Sequence, residues 1–266
     1  MRKRFFAALI MAGTLHGAAV AVTKSDDARR AIRAGNERVA RAEYEQAIAA
    51  YRLAFGAPGG LDAAAHYNVG VCHYELYRSA DAVAQYGEAI KSRGGVYPKA
   101  SYALGVALED LRRPGEARAA YRQALDASGG LYAEAHYRLG VLDAQEGRYE
   151  SAAALFRTAL AVSRDRLPAG HNNLGVMLAF MGRYAEAARE FEIALRQEGG
   201  RYEDARRNLS LCRTLIPPGA ARQSTPTGLT GPIGMSVGGN DPRPHADSLR
   251  GTYAPPGRKD RAADEH

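Results

Sequence analysis

Gly35, Gly70, Gly105, Gly140 and Gly175 recur every 35 residues, and the residues around each are alike. Self-similarity at a period of about 20 to 50 residues marks a tandem array, in which one small unit buries its apolar face only by stacking on its neighbours. A chain of this kind folds as a stack and not around one central core.

The unit can be read by superposing the segments about Gly105, Gly140 and Gly175, each with apolar residues at helical spacing around its glycine. Twelve residues after each glycine stands an alanine (Ala47, Ala82, Ala117, Ala152, Ala187). Four residues later comes an aromatic (Tyr51, Tyr86, Tyr121, Phe156, Phe191), and three later another alanine (Ala54, Ala89, Ala124, Ala159, Ala194). Steps of four and three keep all of them on one face of a second helix. Small residues are expected where the two helices cross closely, and the aromatic is expected to fill the space between units. Gly147-Arg148-Tyr149 and Gly182-Arg183-Tyr184 read as the turn between the helices. Gly59-Gly60, Gly94-Gly95, Gly129-Gly130 and Gly199-Gly200 follow the second helix in four units. Paired glycines admit the positive φ that ends a helix and reverses the chain.

Leu-Gly in a first helix, then Ala, aromatic and Ala in a second, resembles the tetratricopeptide repeat. The likeness covers roughly residues 26–215, with units near 28–61, 62–97, 98–132, 133–167 and 168–200 and a cap over 201–215. It implies an all-α, right-handed superhelical solenoid of five helix-turn-helix repeats of 35 residues with a C-terminal capping helix. Two features depart from the family: the glycine pair replaces a proline that often follows the second helix, and one residue is added to the usual 34. Both fall in the loop between units. Pentatricopeptide repeats also run at 35 residues but lack the Ala-aromatic-Ala signature. The first unit is atypical, with Ala34 where a larger apolar residue precedes the other glycines, as terminal repeats tend to be. Residues 202–213 read as a lone first helix with Ser210 in the glycine's place, and Pro217-Pro218 must end it.

The ends of the chain differ in kind. Arg2, Lys3 and Arg4, the apolar run 5–22 and Ala19-Val20-Ala21 have the three parts of a secretory signal peptide, expected over 1–21 with cleavage near Ala21. The alternative is an uncleaved membrane anchor. No cysteine stands near the cleavage region, which argues against a lipoprotein. An exported protein, periplasmic or secreted, is therefore expected. Residues 216–266, rich in Pro, Gly and charge of both signs, are expected to be a disordered tail.

Net charge is +7, of which Arg2, Lys3 and Arg4 supply three. The remainder alternates with acids, as in Glu116-Ala117-Arg118 and Arg189-Glu190, which reads as solvated helix faces. Nucleic acid would need a concentrated basic stripe, so none is expected as partner. Cys72 and Cys212 lie four units apart, too far for a bridge, and read as buried apolar fillers.

Catalysis finds no footing. His66, His136 and His171 each stand four residues before a glycine, so stacking separates them by a helix pair, far beyond the ~2 Å ligand distances of one zinc site. Glu75, Glu109 and Asp110 show no pairing for general acid-base work and read as solvated charges. Gly234-Met235-Ser236-Val237-Gly238 has the spacing of a nucleophile elbow, but no strand precedes Ser236 and no helix comes after it. Gly238-Gly239-Asn240 opens no helix, so it is no phosphate loop. Neither an enzyme nor a cofactor or metal is expected.

The resemblance places the binding surface on the inner wall formed by the first helices. Three residues before the glycine positions stand Tyr67, Tyr102, Tyr137, Asn172 and Arg207, and one residue after them Val71, Val106, Val141, Val176 and Leu211. Four-residue spacing puts each pair on one helix face, an aromatic row beside an aliphatic one suited to an extended or helical partner segment. The family's carboxylate clamp is only partly present: Asn36, Asn68 and Lys99 match, while Ile32 and Ala103 replace a lysine and an arginine. Losing two cations removes much of the charge-assisted hydrogen bonding a carboxylate needs. The expected role is a non-catalytic scaffold or adaptor for a protein or peptide. The alternatives are a membrane-tethered assembly factor of the cell envelope and a non-catalytic subunit of an envelope enzyme.

Overall fold

The computed structural model describes residues 23–216, which form eleven helices and no strand. The helices are α1 (23–39), α2 (Tyr44–Arg52), α3 (Leu61–Glu75), α4 (Ser79–Ser92), α5 (Pro98–Asp110), α6 (Pro114–Ser128), α7 (Ala133–Gln145), α8 (Tyr149–Val162), α9 (Pro168–Phe180), α10 (Tyr184–Gln197) and α11 (Glu203–Leu215). They make five hairpins and then a single helix. The segment 1–21, the Ser236 motif and all of the tail but Ile216 lie outside the described residues. No helix among those described is long and apolar enough to cross a membrane.

The described chain divides after Gly95 into two compact units. In the first, α2 and α4 pack on α3; in the second, α6 packs on α5 and α7, α8 on α7 and α9, and α10 on α9 and α11. Each second helix of the larger unit thus has a first helix on either side. Its C-terminal core runs continuously from Tyr137 through Phe156, Leu174, Met177 and Phe191 to Leu209 and Cys212. α11 turns Ala205, Leu209 and Cys212 inward and leaves Arg206, Arg207 and Arg213 in water, so the last apolar face is covered and the stack ends on charge.

One contact closes every hairpin. The aromatic of the second helix lies on the glycine of the first: a Cβ on Gly35 would stand 2.3 Å from Tyr51, on Gly70 2.6 Å from Tyr86, on Gly105 2.4 Å from Tyr121, on Gly140 2.8 Å from Phe156 and on Gly175 2.6 Å from Phe191. No real side chain tolerates such distances, so backbone and ring touch directly only because Cβ is missing. All five rings are fully buried. The ring therefore fills the inside of its own hairpin, which corrects the expectation that it fills the space between units. The reason is geometric: glycine and aromatic belong to one helix pair, and the flanking alanines Ala152 and Ala159, both fully buried, let the two axes approach.

Turns repeat as faithfully as helices. Glu43, Arg78, Arg113, Arg148 and Arg183 donate their backbone N–H to the carbonyls of Arg38, His73, Leu108, Asp143 and Leu178. These are the six-to-one bonds of a Schellman motif, and the residue before each donor has positive φ: Ala42, Tyr77, Arg112, Gly147 and Gly182. The loops between hairpins use the same device, with Gly95, Gly130, Asp165 and Gly200 donating to Ile90, Leu125, Leu160 and Leu195. Arg164 and Asp165 hold φ of 54° and 57° where the other units carry a glycine pair, so the one loop lacking glycine keeps the same path at a steric cost. α2 is the short second helix, nine residues long, because Gly56 has positive φ and Pro58 cannot continue a helix.

Gly140→Ala should cost ~2 kcal/mol by overpacking, and in a Phe156→Leu background the same change should cost less than half as much. Urea denaturation of the four proteins checks it, and equal costs in both backgrounds would refute the contact. Arg164→Gly combined with Asp165→Gly should instead raise stability by ~1 kcal/mol, since relief of two strained φ angles outweighs the added freedom of the unfolded chain. Thermal unfolding shows it as a higher midpoint.

Candidate partner-binding site

The eight residues expected to display a binding row are placed mostly inside the protein. Tyr67, Val71, Asn172 and Val176 are fully buried, Val106, Tyr137 and Tyr102 are 2%, 4% and 5% exposed, and Val141 alone is half-buried. The expectation of an exposed aromatic row is corrected accordingly. Each tyrosine ring leans on the aromatic of its own hairpin, with centroids 5.8 Å apart for Tyr67 and Tyr86, 5.7 Å for Tyr102 and Tyr121, and 5.6 Å for Tyr137 and Phe156. Of the row's continuation on α11, Arg207 is exposed and paired with Asp204, and Leu211 is half-buried.

Hydrogen bonds explain why polar members of the row are inside. Asn173 Nδ2 donates to the Tyr137 hydroxyl at 3.0 Å, and Asn208 Nδ2 to Asn172 Oδ1 at 3.0 Å, each across 36 residues. Tyr102 and Arg138, at the same interval, are also hydrogen-bonded. Asn172 Nδ2 completes a chain by donating to Asn173 Oδ1 at 3.1 Å. A residue three before the glycine of one hairpin thus bonds the residue two before the glycine of the next, linking α5 to α7, α7 to α9 and α9 to α11. In the first unit the same register pairs Ile32 with Asn68. Isoleucine has nothing to offer, and neither polar atom of the fully buried Asn68 side chain has a hydrogen-bond partner. Another residue matching the clamp, Asn36, is engaged by the Tyr51 hydroxyl at 2.7 Å, and Lys99 is half-buried, with burial lowering its pKa.

Glu109, expected to be solvated, is half-buried instead: it accepts the Tyr121 hydroxyl and stands 3.6 Å from the buried Arg138. Burial pushes the neighbouring Tyr102 phenol up to about 12, with Arg138 working against it. The three histidines do not converge. His66 Nδ1 meets Gln85 Oε1 at 2.9 Å, His171 Nδ1 meets Glu190 Oε2 at 2.7 Å, and His136 Nε2 meets the Gly130 carbonyl at 3.0 Å. No three His, Cys, Asp or Glu side chains among the described residues stand together as a metal site. Cys72 and Cys212 are buried free thiols, pushed by burial up to about 12 and about 11 respectively, which keeps both protonated and unreactive.

One charged group escapes a reading by repeats. Asp143, 4% exposed in α7, accepts from Arg118 of α6 at 2.5 Å, from Arg148 at 2.6 Å and from the Ser151 hydroxyl. Arg118 and Arg148 both also reach Glu146. Burial works to raise the Asp143 pKa, but the bonds from Arg148, Ser151 and Arg118 outweigh it and hold the carboxyl below its ordinary value. Beside this network an open cleft of about 360 Å³ runs between α6 and α8 over α7, with Arg122, His136, Leu139 and Leu155 in its lining. The sequence signal was a lone acid three residues after a repeat glycine, where the other complete units carry Arg38, His73, Leu108 and Leu178.

The repeat pattern has counterparts in known proteins. A family model described as tetratricopeptide repeat matches residues 26–98, 76–132 and 102–170, together more than half of the 266-residue chain. Among solved structures, MamA is similar with a TM-score of 0.56 at 18% identity, over 67% of this chain and 95% of that one. YrrB, described as a TPR protein with an unusual peptide-binding site, is similar with a TM-score of 0.55 at 22% identity, over 70% of this chain and 93% of its own. PilF of Pseudomonas aeruginosa gives a TM-score of 0.57 at 18% identity, over 74% of this chain and 95% of its own. At such identities the likeness is one of fold. No curated protein matches the chain.

Asp143→Asn should lose ~2 kcal/mol at pH 7, because charge-assisted bonds to a buried carboxylate are replaced by weaker ones. The native carboxyl titrates below 3.8, so its contribution is complete above that value and disappears as pH falls through the native pKa. Urea titrations carried from pH 7 down through the acid range should show the gap between parent and variant narrowing as the native carboxyl takes up its proton. A gap that does not narrow at any pH at which the protein is still folded would contradict the assignment.

Proposed function

Because the chain belongs to the tetratricopeptide-repeat family, we propose that it is a non-catalytic scaffold that holds a segment of a partner protein. The observation that carries this reading is the lateral bonding of first helices in the larger unit, where Tyr102–Arg138, Tyr137–Asn173 and Asn172–Asn208 bind α5, α7, α9 and α11 side by side. Helices fixed in this way offer a face whose shape does not have to be ordered at the moment of binding, which lowers the entropic cost of capture. The peptide-binding description of YrrB supports the same role.

The partner lies over the first-helix row of the larger unit, made of Tyr102, Val106, Tyr137, Val141, Asn172 and Val176. Val141 is the member it meets first, since the others are the buried support beneath. Residues 1–21 direct the protein out of the cytoplasm, a proposal that the mass of the mature N-terminus checks.

The test uses the full chain as bait in native extract, with hydrogen exchange to footprint whatever is retained. A stoichiometric protein that protects α5, α7 and α9 is expected, and Val141→Glu, which leaves the buried staples untouched, should weaken its capture at least tenfold. Undiminished capture by a folded Val141→Glu variant would move the site off this face.

A further inference from the structure

Three hairpin junctions of this protein carry the same pair of side chains. An arginine stands fourteen residues before each of His66, His136 and His171: Arg52, Arg122 and Arg157. In each pair the arginine is on the second helix of one hairpin and the histidine on the first helix of the next. The histidines differ in their partners. Nineteen residues on, Gln85 meets His66 Nδ1 at 2.9 Å and Glu190 meets His171 Nδ1 at 2.7 Å. Nineteen residues on from His136 stands Leu155, which has nothing to bond, and His136 Nδ1 is buried without a hydrogen-bond partner.

The acid that accompanies the third arginine is missing in the middle junction as well. Arg157 acts electrostatically on Glu186. The place of Glu186 one repeat earlier is taken by Ser151, whose hydroxyl is spent on Asp143. Asp143 in turn is neutralised by Arg118 and Arg148, so it offers Arg122 no free charge. Arg122 is exposed and pairs with no acid among the described residues. The open cleft of about 360 Å³ lies at this junction, and Arg118, Arg122, His136, Leu139, Asp143 and Leu155 all line it.

We propose that this cleft on the α6–α8 side takes an acidic side chain of a partner segment, which supplies the carboxylate that Glu190 supplies from within the chain one junction later. The Arg122 guanidinium receives the carboxylate; His136, whose Nε2–H is given to the Gly130 carbonyl, joins it by donating from Nδ1 in its doubly protonated form, and the aliphatic surface of Leu139 and Leu155 receives an apolar neighbour of the carboxylate. Charge complementarity selects Glu or Asp over Gln or Asn, because a charge-assisted bond to a guanidinium is about twice as strong as a neutral one. This site is separate from the first-helix face. That its occupant is a protein segment rests on the scaffold reading above, whereas the carboxylate chemistry does not.

The experiment tracks the ring signals of His136 by NMR in the full chain, assigned by their loss in His136→Gln. The probes are acetyl-Ala-Leu-Glu-Leu-Ala-amide, its Gln twin and inorganic phosphate. The Glu peptide should shift the His136 signals saturably, and the Gln twin should need at least ten times the concentration. Arg122→Ala should weaken the Glu peptide about tenfold. Leu155→Glu should fold, move the His136 signals by itself and abolish the response to peptide. Equal response to the Glu and Gln peptides, no shift of His136 with either, or undiminished peptide binding by folded Leu155→Glu would overturn the site. Saturation by phosphate at the concentration of the Glu peptide would leave an anion site and overturn the protein-segment occupant. Val141→Glu should leave all these responses unchanged, which separates failure here from failure of the first-helix face.

Discussion

Five aromatic rings, each resting on a stretch of helix that has no side chain, hold this protein's hairpins closed. A ring in contact with bare backbone gains dispersion over its whole face, and the absent Cβ lets two helices come nearer than any other residue allows. Everything downstream inherits the distance so set. The alanines that flank each ring are small for that reason, the turn after the first helix must bring ring and glycine together sixteen residues apart, and the connecting loop must repeat its path to start again. The period of 35 is the arc length of that circuit.

A second set of contacts ties hairpin to hairpin, and it is polar. Tyrosine hydroxyls, asparagine amides and one guanidinium are buried in the larger unit, where a bond left unmade costs more than a made one contributes. Such bonds discriminate between registers, because sliding one first helix along the next would strand every partner at once. Asn68 shows the other side of that asymmetry, buried opposite an isoleucine with its amide unmatched. The rule lapses there because Ile32 stands where later hairpins carry tyrosine or asparagine.

How far the sequence could be read depends on the distance over which each feature is encoded. Glycine, turn and aromatic lie within one repeat and recur, so helix pairing, the junction loops and the capping helix α11 were legible from spacing alone. The burial of Tyr102 and Tyr137 was not. It depends on Arg138 and Asn173, one repeat and one residue further on, a pairing that no single helical wheel displays. Hence an aromatic row on paper became a set of internal staples. The Arg164-Asp165 loop hides for a different reason: its hydrogen bonds impose a left-handed path that its residue types do not announce. The Asp143 network was legible only as a lone acid out of register, because its partners come from α6, the α7–α8 turn and α8, so only the folded junction assembles them.

The 36-residue bonds also bear on how arrays of this kind change length. Each links equivalent places in successive hairpins, and the tyrosine side is interchangeable between them. Excision of residues 133–167 as a block would bring Tyr102 opposite Asn173, a combination chemically identical to the Tyr137–Asn173 pair it replaces. The seam heals without any new side chain, so the architecture carries its own tolerance for growth and loss by whole modules, while a gain or loss of a single residue finds no such matching partner.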